Sequence, residues 1–94
     1  MTRAILLDDA KKIICDGRDK EYGSPEDSFK KIAEYWNVYL GDILSAPIEA
    51  SDVGIMMSLF KIARINTGIY KEDSFVDLIG YAACAGEIFG KEAK

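Results

Sequence analysis

The 94 residues carry 12 Lys and Arg against 16 Asp and Glu, a net charge of −4, with no His and 49 % hydrophobic side chains. That length and apolar fraction suit one globular domain with a single core, residues 1–94, and the acid excess argues against a duplex-DNA binder held by phosphate contacts. Without His there is no His-based nucleophilic dyad and most zinc sites are excluded, so an enzyme here must work with carboxylates, Lys, Tyr or a hard, oxygen-liganded metal such as magnesium.

Four helical segments account for nearly the whole chain, and no segment alternates as a half-buried strand does. Thr2 is placed to cap the first helix, which runs through Leu6, Ala10, Ile13 and Ile14 to a stop at Gly17. Ser24-Pro25-Glu26-Asp27 combines an N-cap, a Pro at the first helical position and acids in the first turn, and opens a second helix that ends at Gly41. Phe29, Ile32, Ala33, Trp36 and Leu40 share one face of it. Pro47 and Ser51 precede the third helix, which ends near Thr67-Gly68; Glu72 or Asp73 opens the fourth, which frays near Gly90.

The third helix is apolar nearly all round. Val53, Met56, Met57, Phe60 and Ala63 cover one side, Ile55, Leu59 and Ile62 extend that surface, and only Gly54, Ser58 and Lys61 leave a narrow small-or-polar stripe. Such a helix belongs in the centre of a bundle or at a subunit interface, so homo-oligomerisation, most simply a symmetric dimer, is expected. Small residues of the fourth helix, Gly80, Ala82, Ala83, Ala85 and Gly86, permit close helix approach. Cys15 and Cys84 lie in apolar helical patterns without metal-ligand spacing and read as reduced, core or near-core thiols of a cytoplasmic protein. No window is apolar for the length of a membrane span, and Asp8 and Asp9 interrupt the stretch a signal peptide would need, so a soluble, unexported protein is expected.

The chemistry-bearing residues cluster in three places. Asp73, Asp77, Gly80 and Cys84 fall on one face of the fourth helix; the two carboxylates need a cation, either Lys61 or Arg64 of the preceding helix, a metal, or a ligand. Magnesium held by Asp73 and Asp77, with substrate phosphates completing its shell, is one reading, and an ion pair inside the bundle is the other. Asp52 either joins that set or serves only the start of the third helix. Lys61 and Arg64, three residues apart, would grip a phosphate or neutralise the two acids. Arg18 and Tyr22 stand in a charged loop before a helix N-terminus, where a phosphate contact and a base stack compete with a plain structured turn and a hydrophobic staple.

Three blocks resemble a known family when taken together: Arg18-Asp19-x-Glu21-Tyr22-Gly23-x-Pro25-x-x-Ser28-Phe29-x-x-Ile32-Ala33-x-x-Trp36, then Asp52-Val53-x-x-Met56-Met57-x-x-x-Lys61-Ile62-Ala63-Arg64, then Asp73-Ser74-x-x-Asp77-Leu78-x-Gly80-Tyr81-Ala82. They are similar to a small helical domain of unknown function common in phages and prophages, placed near the MazG-like nucleotide pyrophosphohydrolases. The resemblance implies an all-α, four-helix MazG-like bundle, oligomeric, encoded by a phage or prophage and acting in the host cytoplasm. It implies a nucleoside triphosphate as ligand, bound and possibly split into monophosphate and pyrophosphate. Asp77, Asp73 and Lys61 would be the catalytic set, Asp73, Asp77 and Asp52 the magnesium ligands, and Arg18, Tyr22, Lys61, Arg64 and Tyr81 the substrate contacts. MazG-type enzymes carry Glu-Glu-x-x-Glu and Glu-x-x-Asp patterns; here Glu34 is isolated in the second helix, beside Lys30 and Lys31 on a solvated flank. The alternative is a phage anti-defence or regulatory protein without turnover, which sequesters a nucleotide or binds a host protein. No duplex DNA and no membrane is expected as a partner.

Overall fold

A computed structural model describes residues 1–16 and 23–92. It contains four α-helices and no strand among those residues: α1 (Arg3–Cys15), α2 (Pro25–Leu40), α3 (Ala50–Thr67) and α4 (Glu72–Glu92), with one 3₁₀ turn at Gly41–Ile43. The helix starts follow local chemistry. Thr2 accepts from the Ile5 amide at 3.2 Å and Ser24 accepts from the Asp27 amide at 3.2 Å, each satisfying one of the free donors at a helix N-terminus. Gly41, with φ +51°, ends α2 in the left-handed region.

The start of α3 departs from expectation. Ser51 lies inside the helix rather than before it; Glu49 is the N-cap, and its amide donates to Asp52 at 2.9 Å. Glu92, at the far end of α4, accepts from the Ser51 amide at 3.3 Å and from the Ser51 hydroxyl. The last turn of α4 therefore does not fray at Gly90; it extends to Glu92 and caps α3.

The hairpin of α3 and α4 is the spine. The two helices run antiparallel, with Ser51 against Glu92, Gly54 against Ala85 and Lys61 against Asp77. A Cβ at Gly54 would lie 2.6 Å from the Ala85 Cβ, 3.1 Å from the Ala85 Cα and 3.3 Å from Phe29, so only glycine fits there. Helix α1 packs on α4, where a Cβ at Gly80 would come within 3.1 Å of Ile14, and α2 packs on α3. The core gathers Phe29 and Ala33 of α2, Ile48, Val53, Cys84 and Ile88. Trp36 is half-buried against this core, whereas Tyr35 and Tyr39 face solvent. Cys84 is buried as expected; Cys15, the last residue of α1, is exposed rather than in or near the core.

The inward face of α3 reverses the simplest amphipathic reading. Its buried residues are Ala50, Ser51, Val53, Gly54 and Ser58, so Gly54 and Ser58 of the small-or-polar stripe face inward with Val53, while Ile55, Met56, Leu59, Phe60 and Ile62 are exposed. Ser58 is accommodated because its hydroxyl donates to the Gly54 carbonyl at 2.8 Å.

Between α2 and α3 the chain is pinned by Asn37, whose side-chain amide donates to the Ile48 carbonyl at 3.1 Å and whose carbonyl accepts from the Ile48 amide at 2.7 Å. Lys91 ties the end of α4 to the start of α2 through Glu26 at 3.1 Å; that hydrogen bond, then Glu87 at 3.4 Å, holds its ammonium above the usual range. Replacing Asn37 with Ala strands both polar groups of the buried Ile48, and a loss of about 1–3 kcal/mol is expected in urea denaturation, with native far-UV ellipticity retained.

Candidate functional site

A cleft of about 500 Å³ lies between α1, α2 and α4, with Met57 of α3 also on its wall. Its lining is mainly apolar, with Ile14, Phe29, Ile32 and Tyr81 prominent, and it presents the Asp77 carboxylate and the Ser28 hydroxyl. The helix sequences explain this placement. Asp77, Gly80, Tyr81 and Cys84 recur at three- and four-residue spacing on α4, so one stripe of that helix faces the cleft, and Gly80 lets Ile14 of α1 approach. Phe29 and Tyr81 meet with ring centroids 6.2 Å apart at a tilt of 35°, a favourable edge-offset geometry.

The electrostatic centre is the pair Lys61–Asp77. Lys61 Nζ stands 3.0 Å from Asp77 Oδ2, with the lysine side chain 16 % and the aspartate 34 % exposed. Lys61 also lies over the Phe60 ring, 5.7 Å from its centroid. Asp77 is on the cleft wall and Lys61 reaches it from α3 without lining the cleft, so the carboxylate facing the apolar space is already neutralised.

Other sequence candidates go elsewhere. Asp73 is exposed in the first turn of α4, one turn from Asp77 on the same helix. Asp52 is spent on the start of α3 and sits nine residues before Lys61, about 13 Å along the helix axis. Arg64 is exposed, with its guanidinium stacked 4.7 Å from the Phe60 centroid rather than beside Lys61's partner. Arg18 and Tyr22 lie outside the described residues. Glu34 pairs with Lys31 at 3.4 Å on the solvated flank of α2.

These positions bear on magnesium. The ion needs six oxygens in near-octahedral array and is commonly held by one or two carboxylates plus phosphates and water. Among the described residues no three acidic or thiol groups come together, Asp52 is a long way from Asp77, and Asp77 already has a cation. The donor set does not fit a resident multi-carboxylate centre. Sequence reasoning placed Asp77 and Tyr81 at the site but assigned Phe29 and Ile32 to the core alone and gave no role to Ile14 or Ser28. The small-residue stripe through Gly80 and Cys84 was the available signal, because it marks where another helix comes close.

Removing one member of the Lys61–Asp77 pair leaves the other half-buried and alone. Lys61→Met or Asp77→Leu singly is expected to cost about 1–2 kcal/mol, and the double replacement to cost less than the sum by about 1 kcal/mol, measured as a double-mutant cycle in urea.

Residues 5–89 match the family model "Domain of unknown function (DUF6378)". The chain is 39 % identical over 84 residues to the Gene 55 protein of Mycobacterium phage D29, covering 89 % of this chain and 53 % of that protein. It is 36 % identical over 77 residues to the Gene 55 protein of Mycobacterium phage L5, covering 82 % of this chain and 47 % of that one. The chain thus spans about half the length of these curated phage relatives. No solved structure matches it. Among the described residues no helix is long and apolar enough to cross a membrane. With the match running from the first turns of α1 almost to the end of α4, the chain belongs to the DUF6378 family.

Proposed function

We propose that this is a phage-type nucleotide-binding protein, related to the MazG-like bundles, that takes its ligand in the cleft between α1, α2 and α4. The observation that carries the reading is the cleft itself: about 500 Å³ falls in the usual range for small-molecule sites, and its apolar walls converge on a few polar groups, as such sites do. A base would lie against Tyr81 and Phe29, with Asp77 or Ser28 accepting its exocyclic N–H groups. Lys61 would offer the ligand its ammonium when Asp77 turns to a base or sugar donor. Arg18 and Tyr22 are proposed as further phosphate and base contacts, with Arg64 proposed as a phosphate contact at longer range.

Binding without turnover accounts for the donor set better than hydrolysis. Sequestration of a nucleotide in the host cytoplasm is the biological form this would take. The second reading, hydrolysis of a nucleoside triphosphate to monophosphate and pyrophosphate, is favoured by one observation, the placement of Asp73 and Asp77 one turn apart on α4. A magnesium ion carried in by the phosphates would be met there by Asp77 and Asp73, with Lys61 as catalytic partner.

The test is incubation of the purified protein with a panel of nucleoside triphosphates and cyclic nucleotides, with and without magnesium, followed by mass spectrometry of retained ligand and products. One intact nucleotide per site is expected, with retention weakened about tenfold by Tyr81→Leu, which removes the stacking ring, or by Asp77→Asn, equivalent to about 1.4 kcal/mol. Magnesium-dependent monophosphate and pyrophosphate, lost in Asp77→Asn, would transfer the assignment to the hydrolase. No retained nucleotide and no product would refute both and leave binding of a host protein.

A further inference from the structure

Asp77 is the one carboxylate or cationic side chain among the described residues of the cleft lining. A carboxylate accepts hydrogen bonds and donates none, with about four lone-pair sites on its two oxygens. Lys61 takes one of these from α3, on Oδ2 at 3.0 Å, and the aspartate side chain stays 34 % exposed. Oδ1 and the second site of Oδ2 are therefore left to be satisfied from the cleft side, among apolar walls.

We infer, resting on the nucleotide reading of this cleft, that Asp77 determines base specificity and that the base it selects is guanine. Guanine presents two adjacent donors, N1–H and the 2-amino group, and so forms a bidentate, charge-assisted pair with a partner that only accepts. The other bases set an acceptor beside the donor: adenine has N1 next to its 6-amino group, cytosine N3 next to its 4-amino group, and uracil or thymine a carbonyl on either side of N3–H. Against Asp77 each would turn a lone pair toward a carboxylate oxygen in an apolar space, where an unmatched polar contact is costly. The neighbouring groups suit the rest of the guanine ring. Tyr81 follows Asp77 by one helical turn, so a stacking face and the carboxylate share one stripe of α4. The Ser28 hydroxyl meets the Pro25 carbonyl at 3.4 Å, long for an O–H donor, and is able to turn its proton to the guanine O6.

Lys61 acts here as a positioning residue. An ammonium only donates, so it keeps an oxygen of residue 77 on the α3 side. The same contact decides what Asp77→Asn would present: the amide oxygen stays with Lys61, and Nδ2 takes the place of Oδ1 and offers a donor to the cleft. The preferred base then changes from guanine to xanthine, which has a 2-carbonyl where guanine has the 2-amino group.

Isothermal titration calorimetry on the full chain, without magnesium, tests this with the triphosphates of guanosine, inosine, xanthosine and adenosine on wild type and Asp77→Asn. Wild type is expected to bind the guanosine form about tenfold tighter than the other three, inosine differing from it only by the missing 2-amino group. Asp77→Asn is expected to favour the xanthosine form over the guanosine form by about tenfold, a gain that a misfolded variant would not show. The guanosine-to-inosine ratio of wild type needs no variant and decides the point if Asp77→Asn loses its far-UV ellipticity. Wild type that binds all four alike, or favours adenosine, would overturn guanine selection and leave the nucleotide reading standing. A folded Asp77→Asn that keeps the wild-type order would overturn the role of Asp77. Binding of none of the four would refute the nucleotide reading itself and this inference with it.

Discussion

Gly54 and Ala85 set the distance between α3 and α4, and the other features of the molecule depend on that distance. With no side chain on one helix and a methyl on the other, the backbones meet closely enough for Lys61 to reach Asp77 and for Ser51 to reach Glu92. Phe29 of α2 fills the same corner, 3.3 Å from where a Cβ of Gly54 would be. Gly80, one helical stripe further along α4, repeats the device for α1 by admitting Ile14. The cleft is what remains between helices brought together at these two points, so its walls are the residues next to the contacts: Tyr81 and Asp77 beside Gly80, and Phe29 opposite.

Close approach through small residues also determines which way α3 faces. In most surface helices the largest apolar side chains point inward. Here the inward positions are Ala50, Ser51, Gly54 and Ser58 around a single larger side chain, Val53, and burial is achieved mostly by backbone proximity. The bulk of the helix, Ile55, Leu59 and Phe60, is left on the outside. One helix thus has a narrow buried surface that builds the hairpin and a broad apolar surface that is exposed.

Sequence chemistry made the helix termini legible where a single residue type carries the signal. Thr2, Ser24 with Pro25, and Gly41 each act through their own side chain or their own φ, and each stands where the pattern placed it. The start of α3 was displaced because its cap is reciprocal, Glu49 with Asp52, and is completed by Glu92, 41 residues beyond Ser51. The pairing of Lys61 with Asp77 followed from the cost of an unpaired charge, but the choice of Lys61 over Arg64, and the separation of Asp52 from Asp77, depend on the rotation of α3 about its axis. Hydrophobic periodicity does not fix that rotation when a helix is apolar on most sides. The same ambiguity hid Ile14 and Ser28, whose place on the cleft wall comes from the crossing of α1 and α2 over α4.

A double-mutant cycle at the crossing, Gly54→Ala with Ala85→Gly in urea denaturation, tests the close approach most directly. At an open helical site Gly→Ala stabilises by about 1 kcal/mol. At this crossing Gly54→Ala is predicted to destabilise by about 1–3 kcal/mol through overpacking, with Ala85→Gly relieving part of that loss in the double variant. A stabilising Gly54→Ala, or two effects that simply add, would contradict the account, because α3 and α4 would then not be held together at this point.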